Sequence, residues 1–192
     1  MADGQDIDDP KRAAILHAAF EVFLTYGVRR SSMEDIARKA GMSRPALYLH
    51  FRNKDDIFRA LKTQYYDDAV RDVTVALSQD GPAEEVLRAA FLAQAGEVFE
   101  ALMNSPHGDE ILDQGVAMAG DVSAEGEARL AGVYADWLTR RAAAGRIKLP
   151  GAPEVLAEAM ILALKGAKAP PYARYLERVS ALAGLFGRGL EA

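Results

Sequence analysis

Three observations predict an all-α chain. Apolar residues recur at three- and four-residue steps from end to end, no run alternates apolar and polar positions long enough to make a strand, and glycine or proline falls where each periodic stretch stops. In the first stretch Ile15, Ala18, Ala19, Val22, Phe23 and Tyr26 share one side, and Gly27 follows where a left-handed cap would sit, so a helix is expected over about Lys11 to Tyr26. Ser31 or Ser32 caps a second helix, Glu34 or Asp35 completes a capping box, and Met33, Ile36, Ala37 and Ala40 face inward. Gly41 ends it. Ser43 caps a third helix, with Pro45 in the first turn, where its missing N–H costs nothing, and Leu47, Tyr48 and Phe51 on the apolar side.

Beyond Asn53 the pattern lengthens. Ile57, Leu61, Tyr65, Ala69, Val73 and Leu77 extend one long helix that stops at Gly81 and Pro82. Further helices are expected over Val86 to Met103, Glu110 to Ala119, Glu125 to Ala144, Glu154 to Ala167 and Tyr172 to Leu190, separated by "NSPHG", "AAAGRIKLPGAP" and "KAPP". The lengthening near Asn53 suggests a small N-terminal domain, residues 10–53, joined through a shared helix to a larger one, residues 54–192, without a flexible linker.

Composition narrows the class of function. With 192 residues, 50% hydrophobic and 27% charged, the chain is ordinary for a soluble globular protein, which sets aside disordered and fibrous classes. The absence of cysteine excludes a disulfide framework and a thiolate metal site, and fits a reducing compartment. The opening "MADGQDIDDP" is acidic and polar, and the best apolar run, Ala159 to Leu164, is too short to span a bilayer, so a cytoplasmic protein is expected. The net charge of −5 conceals an asymmetry. Residues 10–62 carry 11 Lys and Arg against 5 Asp and Glu, a net +6, whereas residues 63–192 carry 12 against 19, a net −7. A basic block on an acidic body is the footprint of a segment that binds a polyanion. Catalytic patterns are missing: His17, His50 and His107 lack HExxH spacing, and neither GxxxxGK nor GxSxG occurs. Carboxylate pairs such as Asp67 with Asp68 and Glu84 with Glu85 are adjacent on helices and point to different faces. Neither an enzyme nor a cofactor or metal site is expected.

The stretch "SSMEDIARKAGMSRPALYLHF", Ser31 to Phe51, puts two short amphipathic helices around a turn of three or four residues containing Gly41. That is the helix-turn-helix pattern, whose second helix enters the DNA major groove. Its first residues after the cap are Arg44, Pro45 and Ala46. Arg44 can donate two hydrogen bonds to guanine O6 and N7, while Pro45, Ala46 and Leu49 offer apolar contact to a thymine methyl. Ser43, Tyr48, His50 and Lys54 are donors in reach of phosphates, Ser32 can hold a phosphate at the second helix, and Arg29 and Arg30 add charge. Leu47, Phe51, Ile36 and Phe23 read as core.

The run "AAILHAAFEVFLTYGVRRSSMEDIARKAGMSRPALYLHFRNKDDIF", Ala13 to Phe58, resembles the TetR family of bacterial transcriptional repressors. The likeness covers about a quarter of the chain and rests on several spacings that agree together: "IL" then "AA", Phe23 and Gly27 in the first helix, "SSMEDIARKAG" in the second, "SRPALYLHF" in the third, then "NKDDIF". The resemblance implies a three-helix DNA-binding domain, a helical C-terminal domain that binds a small ligand and dimerises, and release of palindromic operator DNA on ligand binding. Activators and corepressor-dependent members share the opening motif. It also implies Ser43, Arg44, Pro45, Ala46, Tyr48, His50 and Lys54 as DNA contacts, although family sequences often carry glycine in place of Pro45.

The remaining residues, about 130, carry no comparable motif. By analogy with such proteins, the last two helices would pair with their copies as a four-helix bundle. Leu176, Val179, Leu182, Ala183 and Phe186 recur at helical spacing, Leu156, Met160, Ala163 and Leu164 give the preceding helix a stripe, and Ala181, Gly184 and Gly187 admit another helix closely. An effector pocket is expected among the middle helices, with Tyr66, Phe91, Phe99, Met103, Met118, Tyr134 and Trp137 as lining and Gln94, His107 or Gln114 as polar groups, which suits an apolar or aromatic ligand. The reading from another class, a helical ligand-binding protein that does not bind DNA, is opposed by the intact Arg44, Tyr48 and Lys54.

Overall fold

A computed structural model describes residues 10–96 and 98–191, and the side chains of residues 115 and 116 are not among those described. The acidic opening, residues 1–9, lies outside the described residues. All regular structure among the described residues is helical: α1 Pro10–Tyr26, α2 Met33–Lys39, α3 Arg44–Tyr48, α4 Lys54–Leu77, α5 Ala83–Ala95, α6 Phe99–Asn104, α7 Gly108–Ala143, α8 Pro153–Ala167 and α9 Tyr172–Gly189. No helix of the described residues is long and apolar enough to cross a membrane.

The chain divides into two compact units. The first takes residues up to Gln64 together with Ser105–Ser123, and the second takes Tyr65–Asn104 with residues from Ala124 onward. This differs from a boundary at Asn53 in two ways: the first turns of α4 belong to the first unit, and so does a segment more than forty residues further on. Polar contacts account for the second difference. Ser105 Oγ donates to the Leu24 carbonyl at 2.7 Å, Glu110 Oε1 accepts from the Arg29 N–H at 2.8 Å, and Arg59 forms a two-pronged ion pair with Asp121 at 2.7 and 2.6 Å. Such partners lie far apart in sequence and leave no periodic trace.

In the first unit α1 buries Ile15, Leu16, Ala18, Ala19, Val22 and Phe23 and packs on α2, which buries Met33, Ile36 and Ala37 and in turn packs on α3, whose Leu47 is buried. Phe23 and Phe58 meet with ring centroids 6.0 Å apart. Gly27 has φ +79°, a backbone conformation that favours glycine, and the Glu110 carboxylate, the movable end of a side chain, lies against it.

In the second unit the continuous helix expected over Val86 to Met103 is two helices. The break is at Gly96, whose φ of +77° is a left-handed turn open to glycine without a Cβ penalty and needs no flanking proline. Conversely, the stretches expected at Glu110 to Ala119 and Glu125 to Ala144 run together as α7, with an irregular residue at Ala119 (φ −144°, ψ 38°). α9 packs on α5 and on α8. Gly187 lets another helix approach closely, and that helix is α5 of the same chain: a Cβ at Gly187 would lie 2.6 Å from the Glu84 Cα, whereas one at Gly184 would meet only the side-chain ends of Arg188 and Glu84.

Helix propensity alone favours alanine over glycine by about 0.5–1 kcal/mol. At Gly187 the clash with α5 backbone reverses the sign, and Gly187→Ala is expected to lower unfolding free energy by about 1–3 kcal/mol, the usual cost of overpacking. Urea unfolding of both proteins checks this, and a raised midpoint would contradict the close α5–α9 approach.

Candidate nucleic-acid interface

The turn between α2 and α3 is built by local hydrogen bonds. Ala40 ends α2, Gly41 adopts φ +68°, the Gly41 N–H donates to the Arg38 carbonyl at 3.2 Å and the Met42 N–H reaches back to Ala37 at 3.0 Å. This paired closure satisfies carbonyls that the helix end would otherwise leave open. Ser43 then caps α3 by accepting from the Ala46 N–H at 3.3 Å, and its hydroxyl hydrogen remains available to donate.

What α3 presents outward follows from Leu47 pointing in. Leu47 is fully buried, whereas Tyr48 is 42% and Leu49 86% exposed, and Ser43, Arg44 and Pro45 are exposed with Ala46 at the margin. The Arg44 guanidinium lies 5.5 Å from the centre of the Tyr48 ring and donates to its hydroxyl at 3.3 Å. That hydrogen bond and the ring's attraction for the cation orient the guanidinium along α3. His50 is half-buried and lines, with Arg12, Leu49, Arg52 and Arg59, a shallow hollow of about 390 Å³. Arg12 sits 4.5 Å above the Phe51 ring, a cation beside the interface that sequence reading did not single out because α1 looked purely structural.

Two predicted phosphate contacts are occupied within the chain. The Ser32 hydroxyl accepts from the Asp35 N–H at 3.2 Å and donates to Asp35 Oδ2 at 2.6 Å, and the Ser32 N–H donates to the same oxygen at 3.1 Å. This is the capping box with Ser32 and Asp35 chosen from the pairs the sequence allowed, and Ser32's bonds, ahead of Arg38's charge, hold the Asp35 carboxyl below the usual carboxylate range. Lys54 directs its ammonium at three carbonyls of the loop between α1 and α2: Val28 at 2.5 Å, Ser31 at 2.9 Å and Arg29 at 3.3 Å. An ammonium has three N–H bonds, so Lys54 is a clamp on the loop. Arg29 is likewise engaged: its Nε and Nη2 donate to the Gln114 side-chain oxygen at 3.2 and 3.1 Å, with the amide oriented by those bonds.

The predicted effector residues separate. Gln114 and Met118 fall in the first unit, where the Met118 carbonyl accepts from Arg59 at 3.1 Å, and so does His107, 3.6 Å from Glu110. Tyr66, Phe91, Gln94, Phe99, Met103, Tyr134 and Trp137 are all buried in the second unit. Phe91 packs on Tyr134 with centroids 5.8 Å apart, and the Tyr134 hydroxyl donates to Gln94 Oε1 at 3.0 Å. Sequence reading placed Tyr65 only in the apolar stripe of α4 and did not single out Lys168, because a lysine in a helix break carries no periodic signal. Tyr65 donates its hydroxyl hydrogen to the Gln94 carbonyl at 2.9 Å and accepts from Lys168 Nζ at 2.7 Å. Burial pushes the Lys168 ammonium down to about 8 and the Tyr65 and Tyr134 phenols upward. A separate cavity of about 860 Å³, bordered by Pro82, Glu84, Arg141, Arg146 and Leu190, contains none of the predicted effector residues.

The predicted dimer residues divide between the chain's own core and its half-buried margin. Met160, Leu164, Val179 and Ala183 are at most 2% exposed within one chain, Leu156, Leu176 and Leu182 are half-buried, and Phe186 packs on Phe91 with centroids 6.2 Å apart. Both helices carry apolar residues on two sides, and periodicity cannot say which side the chain's own core takes. The outward stripe is Val155, Ala159, Leu162 and Gly166 on α8, with Ala181 and Leu185 on α9.

Lys54→Met is expected to lower stability by about 2 kcal/mol by leaving loop carbonyls without their charged donor, while leaving the salt dependence of DNA binding unchanged. Thermal unfolding with a salt titration checks both; undiminished stability with a salt slope shallower by about one unit per half-site would return Lys54 to the phosphates.

Residues 15–61 match the domain described as "Bacterial regulatory proteins, tetR family". The HTH-type transcriptional activator FasR of Mycolicibacterium smegmatis is 38% identical over 82 residues, 43% of this chain and 37% of FasR. The HTH-type transcriptional repressor BepR of Brucella suis biovar 1 is 50% identical over 50 residues, 26% of this chain and 24% of BepR, so the matches span well under half the length of these relatives. A crystal structure of a TetR-family regulator from a Rhodococcus species has the same fold over 94% of this chain and 98% of that one (TM-score 0.72, 24% identity). So does the reduced form of NemR from E. coli, over 95% and 97% (TM-score 0.76, 14% identity). The N-terminal domain, residues 15–61, is thus of the tetR family of bacterial regulatory proteins, and along almost its whole length the chain shares its helical fold with solved TetR-family regulators.

Proposed function

We propose that the protein is a sequence-specific DNA-binding transcriptional regulator, a homodimeric repressor that a small-molecule effector releases from its operator. The observation that carries the reading is the exposed face of α3, with Arg44 stacked on Tyr48 at the start of a short helix whose other side is anchored by buried Leu47. Arg44 is placed to read guanine, Leu49 and Pro45 to meet thymine methyls, and Ser43 to donate to phosphate. BepR is named a repressor and FasR an activator, and the same face serves regulation of either sign.

The dimer is assigned to the outward stripe of α8 and α9. Val155, Leu162 and Leu185 are 63%, 66% and 64% exposed, large apolar side chains clustered on two adjacent helices, which a second copy would remove from water. A two-fold axis would then set two α3 helices on half-sites about 35 Å apart. Release requires the effector to favour the non-binding state by only about 3 kcal/mol for a hundredfold loss of affinity.

Fluorescence anisotropy against genomic fragments flanking its own gene, with random DNA as competitor, tests the reading. Saturable, competitor-resistant binding is expected, and Arg44→Ala should cost about 1–3 kcal/mol and relax preference at one position per half-site. If a genome-wide selection also returned no preferred sequence, or Arg44→Ala kept the same preference, the proposal would fall. Leu162→Glu and Leu185→Glu should each give monomers by light scattering, and a persisting dimer would move the interface off this stripe.

A further inference from the structure

We infer that the effector is an acid: the Lys168 ammonium is the counter-ion for a carboxylate borne on an apolar or aromatic body, an inference that rests on the regulator reading only in calling that ligand an effector. Lys168 is half-buried at the end of α8, where its backbone leaves the helix (φ −73°, ψ 72°). Its Nζ lies 5.1 Å from the centre of the Tyr65 ring and 5.5 Å from that of Phe99, and its hydrogen bond goes to the neutral Tyr65 phenol. Among the described residues no carboxylate forms an ion pair with it.

The surroundings explain why that partner is missing. Glu127 is the carboxylate whose charge acts on Lys168, and its two oxygens are taken by Lys165 Nζ at 2.8 and 3.2 Å. Tyr65 cannot serve as a counter-charge, because its own proton is committed to the Gln94 carbonyl. One N–H bond of the ammonium goes to the Tyr65 phenol and the Phe99 ring lies beside it, with no carboxylate among the described residues paired to the others. Ring faces attract a cation, yet they replace its lost hydration less fully than an anion does.

Around this charge the wall is aromatic. Phe99 packs on Tyr175 with centroids 4.7 Å apart, Tyr65 meets Tyr66 edge-on at 4.9 Å, and the Tyr66 ring lies so close to Gly126 that a Cβ there would fall 2.1 Å from it. A single cation set in such a wall selects an amphipathic acid over a neutral molecule of the same shape, since only the acid supplies the charge-assisted hydrogen bond. The apolar or aromatic ligand expected from composition thereby gains a defined polar end.

Titration calorimetry on the full chain tests this without DNA, so its failure is distinct from failure of the regulator reading. The probes are 1-naphthoate and decanoate against 1-naphthamide and decanamide. At least one acid should bind about tenfold or more tightly than its amide, Lys168→Met should abolish that preference, and Lys168→Arg should retain it. Circular dichroism reports whether each variant is folded; if Lys168→Met is not, Tyr65→Phe takes its place and should weaken the acid while sparing the amide. Acids and amides binding alike, no acid binding up to about 1 mM, or an acid preference that survives Lys168→Met would overturn the inference.

Discussion

The Lys54 ammonium, gathering the carbonyls of Val28, Arg29 and Ser31, is the interaction on which the first unit depends. The loop it holds joins α1 to α2 and has too few residues for secondary structure of its own. Its polar backbone groups need partners supplied from elsewhere in the chain. Lys54 takes the carbonyls, Glu110 takes the Arg29 N–H, and Gly27 makes room for the Glu110 carboxylate. With the loop fixed, Ser32 is positioned to cap α2, Gly41 turns the chain, and Ser43 starts α3. The exposure of Arg44 and Tyr48 is thus the last term of a series that begins at a lysine on a different helix.

The second unit works by a different balance. Its core is aromatic, with Phe91, Tyr134, Trp137 and Tyr175 all but inaccessible, and glycine admits a close neighbour at position 126, against the Tyr66 ring, and at position 187, against the α5 backbone. Such packing tolerates little change in volume. The polar groups inside it, Gln94 with Tyr65 and Tyr134, are joined by hydrogen bonds, and Tyr65 extends the chain to the Lys168 ammonium. A low dielectric makes a network of this kind responsive to a charged ligand, because one added anion changes the energy of every member.

The first three helices were legible in the sequence because their signals are local. Caps lie within three residues of what they cap, glycine marks its own left-handed turn, and Leu47 and Ile36 declare the inward side by spacing alone. What was not legible depends on distance or on a choice between equal faces. The carbonyl partners of Lys54 stand more than twenty residues earlier in the chain and leave no local signal, and the attachment of residues 105–123 to the first unit rests on pairs such as Arg59 with Asp121. On α8 the stripe through Met160 and Leu164 and the stripe through Val155 and Leu162 have similar apolar content, so only the folded chain tells which is core. The break at Gly96 was hidden because a glycine within an apolar helical pattern can also be tolerated without ending it.

The most direct measurement is a crystal structure of the protein bound to a DNA fragment selected by it. The account requires α3 in the major groove with the Arg44 guanidinium on a base edge, and Lys54 still on the Val28, Arg29 and Ser31 carbonyls. A complex in which α3 lies outside the groove, or in which Lys54 leaves the loop to take a phosphate, would contradict it.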